Sequence, residues 1–331
     1  MGRRVSVIGA GSWGTTVAAL AAAQGEVALW ARSPEVVREI NDQHRNHRYL
    51  GGHALPASLR ADGELPNVVA GADVVAMAIP AKGFAEIARV AGKAAKPGSI
   101  VVSLTKGLAA GSHRRMSEVL AESFPHCGVA VLSGPNLASE IIAGQPAASV
   151  VASTDESVAR EVVAALSTPL FRLYTNEDVV GCEIGGVVKN VSAIGAGIAQ
   201  GFGFGDNAKA AVITRGLAEM TRLGVALGAR PETFSGLAGL GDLVATCASM
   251  QSRNTQVGVR LGRGESIDAI ESSMRMVAEG VRASSLVVEL AGERGVEMPI
   301  SEQVALVCRG RKSAADALAD LLSRRSKAEF E

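Results

Sequence analysis

Up to about residue 175 the chain alternates short apolar runs with longer segments of helical periodicity. The apolar, β-favouring runs fall at 5–8, 27–30, 74–78, 100–104, 129–132, 147–152 and 170–174. Helical stretches separate most of them, among them 15–23, 81–95 and 156–167. This alternation predicts a largely parallel sheet covered on both faces. The polar, His- and Arg-rich insert 41–56 reads as a functional loop rather than an element.

Beyond Asn176 the strand signal stops. Helical patterns follow at 181–201, 207–227, 237–246, 283–294, 301–309 and 314–323. The expected fold class is α/β: a Rossmann-type, doubly wound parallel sheet over residues 1–178, then an all-helical domain over 179–331.

Bulk properties narrow the function classes. A chain of 331 residues has room for two cores. The formal net charge is zero, so nothing points to nucleic acid or an anionic membrane. Cys127, Cys182, Cys247 and Cys308 are scattered without a C-x-x-C, which suggests neither a disulfide framework nor zinc and fits a reducing cytoplasm. Met1-Gly2-Arg3-Arg4 leads straight into a strand, leaving no room for a signal peptide. Asp73 and Lys82 break the most apolar region, so no membrane-spanning stretch is expected. The expectation is a soluble cytoplasmic protein, with a homodimer as the default assembly.

The first chemistry-bearing motif is Gly9-Ala10-Gly11-Ser12-Trp13-Gly14, a G-x-G-x-x-G between a strand and an Ala-rich helix. In that setting Gly9 permits the tight turn, Gly11 lets backbone approach a pyrophosphate, and Gly14 allows close helix–strand packing. The helix N-terminus directs N–H groups at the phosphates. After the second strand, where NAD-specific folds usually carry an acid, stands Ala31-Arg32-Ser33. A guanidinium there can pair with a 2′-phosphate, so Arg32 favours NADP(H) over NAD.

Ligands of open parallel sheets bind beyond the carboxyl ends of the strands. Those exits read Thr105-Lys106-Gly107-Leu108 and Ser133-Gly134-Pro135-Asn136-Leu137-Ala138. Lys106 stands where a cation can meet an anionic ligand. A second cluster, Glu183 to Val191, sets Lys189 and Asn190 in an almost wholly apolar helix. Lysine is rarely buried without a partner, so Lys189 is a candidate for proton exchange with a substrate. A third cluster holds Gly239-Leu240-Gly241-Asp242-Leu243, Thr246 and Ser252-Arg253-Asn254, in which Asp242 is expected to pair with and orient a lysine, Lys189. Arg253 and Asn254 supply forked and amide donors for a phosphate ester, although Ser-Arg-Asn also reads as a helix cap. Glu279-Gly280 reads either as a ribose contact or as a helix end. His44, His47 and His53 share one loop without a carboxylate or cysteine at ligand spacing, so no metal is expected.

Taken in order, these motifs resemble the bacterial NAD(P)-dependent glycerol-3-phosphate dehydrogenases. The resemblance rests on Gly9-x-Gly11-Ser12-Trp13-Gly14-Thr15, Thr105-Lys106-Gly107-Leu108, Gly134-Pro135-Asn136-Leu137-Ala138, Val188-Lys189-Asn190, Gly239-Leu240-Gly241-Asp242-Leu243, Ser252-Arg253-Asn254 and Glu279-Gly280. It implies a helical domain like that of 6-phosphogluconate dehydrogenases and an exchange of dihydroxyacetone phosphate with sn-glycerol 3-phosphate that supplies phospholipid synthesis. By position it makes Lys189 the general acid/base. Lys106, Gly134, Asn136, Asn190, Asp242, Ser252, Arg253 and Asn254 become substrate contacts, with Lys106 and Arg253 also facing the cofactor. Gly9, Gly11, Ser12, Trp13, Gly14, Arg32, Ala138, Val277 and Glu279 line the dinucleotide. Two positions depart from the family pattern. Gly51-Gly52 follows Tyr49-Leu50 where the family often has Pro-Gly, and Ala245 stands where it often has a bulkier aliphatic residue. A β-hydroxy-acid dehydrogenase and a non-catalytic dinucleotide sensor remain as alternatives.

Overall fold

The computed structural model describes residues 3–274, 278–325 and 328. Among the described residues, eight strands form one sheet: β1 (Val5–Ile8), β2 (Val27–Trp30), β3 (Arg60–Asp62), β4 (Val74–Met77), β5 (Ile100–Ser103), β6 (Gly128–Ser133), β7 (Ala147–Ala152) and β8 (Phe171–Asn176). Their order is β3-β2-β1-β4-β5-β6-β7-β8. Neighbours run parallel except β6 and β7, which are antiparallel. The connecting helices are α1 (Ser12–Ala21), α2 (Pro34–Gln43), α3 (His47–Leu50), α4 (Leu65–Val69), α5 (Phe84–Ala94), α6 (Met116–Ser123), α7 (Ala138–Ile142) and α8 (Glu156–Leu166). Then come α9 (Val179–Gly201), α10 (Asp206–Ala226), α11 (Pro231–Phe234), a π-helical turn (Leu237–Gly241), α12 (Asp242–Ala248), α13 (Arg253–Gly262), α14 (Ile267–Ser273), α15 (Glu279–Glu293), α16 (Pro299–Cys308) and α17 (Ala314–Leu322).

The chain forms two compact units, residues 1–186 with 232–242 and residues 187–231 with 243–331. In the first, the alternation along each strand sends side chains to opposite faces of the sheet. Val74 and Ala76 of β4 join Val7, Leu29, Val102, Leu132 and residues of α1 and α8 in one core. Val75 and Met77 join Ile8, Val101 and residues of α4, α5 and α6 in the other. Strands buried on both faces explain the near-continuous apolar runs of the sequence.

In the second unit, glycines let two helices touch. A Cβ on Gly197 or Gly201 of α9 would lie 2.3–2.4 Å from carbonyl oxygens of α13, and one on Gly258 or Gly262 would meet carbonyls of α9 at 2.1–2.4 Å. Two small-xxx-small stripes thus bring the backbones of α9 and α13 together. Glu219 of α10, almost wholly buried, accepts from the Ile300 and Ser301 N–H groups and the Ser301 hydroxyl, closing the N-terminus of α16.

Elements that the pattern did not single out include β3, α2, α4, α11 and α14, and α13 was marked only by its cap. β3 is three residues of Arg-Ala-Asp at a sheet edge. α2 buries only Val36 and Ile40. So few buried apolar residues leave little signal in the sequence, although they share one face. The membrane expectation also needs correction: α9 is long and apolar enough to cross a bilayer by length and composition. It is mostly buried within the protein, as a core helix is.

Candidate active site

The strand order reverses between β1 and β4, the switch point at which such sheets bind ligands. The glycine loop leaves β1 there. Gly9 has φ +116°, and a Cβ on it would lie 2.5 Å from the Ala78 carbonyl at the end of β4. Only glycine fits that turn. A Cβ on Gly14 would sit 1.9 Å from the Gly9 carbonyl, which closes the loop onto α1. At Gly11 nothing comes within 4 Å, so its backbone faces open space beside the first N–H groups of α1. That geometry fits a pyrophosphate.

The expected loop 41–56 contains the short helix α3, and polar side chains staple it to the glycine loop. Asn46, fully buried, donates to the Ala10 carbonyl at 3.0 Å and to Thr15 Oγ1 at 2.9 Å. Ser12 Oγ donates to the Tyr49 carbonyl at 2.8 Å. His47 pairs with Glu39 at 2.5 Å. Gly51 ends α3 at φ +60°, a conformation closed to proline, whose ring holds φ near −65°.

Among the other residues assigned to the dinucleotide, Arg32 is exposed just after β2. Trp13 packs edge-on against Phe171 with centroids 6.0 Å apart, partly inside the core. Ala138 opens α7, and its carbonyl meets the Thr16 hydroxyl of α1 at 3.4 Å. Val277 lies outside the described residues. Glu279 begins α15 rather than ending a helix. Burial pushes its carboxyl above the usual range, against the positive charges of Arg253 and Arg282.

At the strand exits of the first unit, Lys106 Nζ lies 2.6 Å from Asp242 Oδ2 and donates to the Gly134 carbonyl at 2.7 Å. Asp242 is only 1% exposed. The π-helical turn ahead of it packs on β7, and a Cβ on Gly239 would strike the Phe234 carbonyl at 2.2 Å. Crowded glycines thus deliver Asp242 to Lys106. Gly186 lies against the Lys106 stem and Ser133 Oγ, where a Cβ would come within 3.0–3.2 Å of both.

In the second unit, Lys189 is buried in α9, with 7% exposure, and donates to Thr246 Oγ1 at 2.7 Å. Asn254 Oδ1 accepts the Gly280 N–H at 2.9 Å, so its Nδ2 must donate to Asn190 Oδ1, 2.8 Å away. That fixes which end of the Asn190 amide faces Asn254. Ser252 caps α13 by accepting from the Thr255 N–H, as the cap reading anticipated, and this sets Arg253 and Asn254 in the first turn of that helix. A helix N-terminus carrying an arginine is suited to a phosphate.

Sequence reasoning overlooked the anchor of the α9 entry. The buried Glu183 carboxylate accepts from the Ser117 N–H at 2.8 Å, from the Ser117 hydroxyl and from Arg115 at 2.9 Å. Burial pushes this carboxyl up, and the Arg115 charge pulls against it. Arg115 and Ser117 lie far from Glu183 in sequence, so no local motif announces the set.

A switch-point glycine loop and a buried lysine–asparagine pair on an apolar helix define a dinucleotide-dependent dehydrogenase with a helical second half. Models of the NAD-dependent glycerol-3-phosphate dehydrogenase N-terminus and C-terminus match residues 4–159 and 178–319. A glycerol-3-phosphate dehydrogenase [NAD(P)+] of Sphingopyxis alaskensis is 50% identical over 319 residues, covering 96% of each chain. One from Thermobifida fusca is 49% identical over 330 residues, covering 98% of each. The crystal structure of glycerol-3-phosphate dehydrogenase from Coxiella burnetii superposes with a TM-score of 0.93 at 36% identity, covering 98% of this chain and 99% of that one. The chain belongs to the NAD-dependent glycerol-3-phosphate dehydrogenase family. A ketopantoate reductase from Ralstonia eutropha, at 18% identity and TM-score 0.61, shares the fold alone.

Proposed function

We propose that this protein reduces dihydroxyacetone phosphate to sn-glycerol 3-phosphate with NADPH, in a cytoplasmic homodimer that supplies phospholipid synthesis. Residues 1–178 hold the cofactor and 179–331 carry the substrate chemistry. Family membership supports the reaction. The observation that carries the residue assignment is Lys189, a lysine buried in an apolar helix with a hydroxyl partner and an asparagine beside it.

When bound, the nicotinamide supplies the hydride. Lys189 donates the proton to the oxygen that was the carbonyl and stabilises its developing charge. Thr246 holds the Lys189 ammonium by accepting one of its protons. Asn190 donates to a substrate oxygen, and Arg253 with Asn254 fixes the phosphate, so that positioning contributes to the rate. Lys106, oriented by Asp242 and the Gly134 carbonyl, neutralises substrate charge. Arg32 favours the 2′-phosphate of NADP(H).

The test is optical. NADPH oxidation that requires dihydroxyacetone phosphate supports the reading, whereas turnover of hydroxyisobutyrate with NADP+ in its place would move the protein to the β-hydroxy-acid dehydrogenases. Tight NADPH binding without turnover of any phosphorylated ketone would favour the sensor.

A further inference from the structure

Ser149, fully buried on the antiparallel strand β7, places its hydroxyl between two oxygens. The Ser133 carbonyl is 2.9 Å from Ser149 Oγ, and Asn136 Oδ1 is also 2.9 Å away. Both are acceptors, and a serine hydroxyl has one proton to give. On its other side, Asn136 Nδ2 is buried with no hydrogen-bond partner among the described residues. The two ends of a primary amide are nearly isosteric, so the surrounding network decides which is which. The Ser133 carbonyl is backbone and can only accept. Ser149 therefore donates to it, and the end of Asn136 facing Ser149 has to be a donor.

We infer that Asn136 stands with Nδ2 donating to Ser149 Oγ and Oδ1 in the other, buried position, and that Ser149 is the positioning residue that locks this orientation so that Asn136 reads a substrate hydroxyl. The amide then presents an acceptor, two residues beyond the Gly134 carbonyl that holds the Lys106 ammonium. An acceptor at that place welcomes a hydroxyl and turns away carbonyl and phosphate oxygens. Dihydroxyacetone phosphate carries one group of that kind, its free hydroxyl. This inference rests on the assignment of Asn136 to the substrate made above.

The experiment compares kcat/KM for dihydroxyacetone phosphate and for hydroxyacetone phosphate, the analogue with hydrogen in place of that hydroxyl. Ser149→Ala is expected to lose about tenfold on dihydroxyacetone phosphate, the scale of one neutral hydrogen bond, and to leave the analogue and NADPH binding unchanged. Asn136→Ala should show the same selective loss, and Ser149→Thr, which keeps the hydroxyl, should restore discrimination. If Ser149→Ala does not fold, judged by its thermal melt, Ser149→Cys takes its place. The thiol keeps the volume but is a weak acceptor, and the same selective loss is expected. Equal losses on both substrates would make Ser149 merely structural and overturn the inference. So would unchanged discrimination in Ser149→Ala alongside a selective loss in Asn136→Ala. Unchanged kinetics in Asn136→Ala would overturn the assignment of Asn136 itself, a failure distinct from the other two.

Discussion

Lys106 and Asp242 meet at 2.6 Å although they are separated by 136 positions in the chain. The lysine side chain is 17% exposed and the aspartate side chain 2%. At that burial the charges are screened little by solvent, and each depends on the other. A double-mutant cycle with Lys106→Met and Asp242→Asn, read by denaturant unfolding, should give a coupling energy of about 1–3 kcal/mol. Additive single losses would show that the pair contributes no mutual stability.

The contact between α9 and α13 leaves no room for a methyl group. Gly258→Ala would bring a Cβ to 2.1 Å from the Ile194 carbonyl, and backbone cannot yield as a flexible side chain does. We expect destabilisation of about 3 kcal/mol, visible as a lower thermal midpoint. Gly264→Ala is a poor control because of its positive φ, but Gly292→Ala meets nothing within 4 Å and should change the midpoint little.

How much of this was legible in the sequence follows from the range of the interactions. Strands such as Val5–Ile8 and Val27–Trp30 announced themselves because burial on both faces demands unbroken apolar runs. The glycine loop was legible because its constraint is local: Gly9, Gly14 and the start of α1 are close in sequence. Lys189 stood out because little else on its helix is polar. The partners were legible only in kind: Asp242 is expected to orient a lysine, Lys189, and the fold gives it Lys106. Thr246 on Lys189, Asp242 on Lys106, and Arg115 with Ser117 on Glu183 are long-range pairings made by the fold. Ser149 lies in an apolar strand that runs antiparallel to its neighbour β6, and nothing in its immediate sequence marks it.

Asp73 offers a test against pH. Its carboxyl accepts from Lys96 Nζ at 2.5 Å and from the Arg4 N–H at 2.9 Å. The hydrogen bond from Lys96, then that from Arg4, holds it below the ordinary 3.8. A depressed carboxylate contributes stability above its unfolded value and loses it as pH falls through the folded one. The two side chains are 43% and 35% exposed, so at neutral pH Asp73→Asn should cost no more than about 1 kcal/mol. The difference between wild type and variant should shrink as pH drops below 3.8, measured by urea midpoints. A difference that grows on acidification would contradict this.

Cofactor choice turns on Arg32. Replacing it with aspartate sets an acid where a 2′-phosphate would lie. The ratio of kcat/KM for NADPH over NADH should fall by at least about tenfold in Arg32→Asp. An unchanged ratio would leave Arg32 as a solvated surface charge.

The central claim is that Lys189 handles the proton. Lys189→Ala should bind NADPH with wild-type affinity, measured by fluorescence titration. Its turnover of dihydroxyacetone phosphate should fall by about 10²- to 10⁴-fold, the usual range for loss of a general acid. Near-wild-type turnover in that variant would contradict the account.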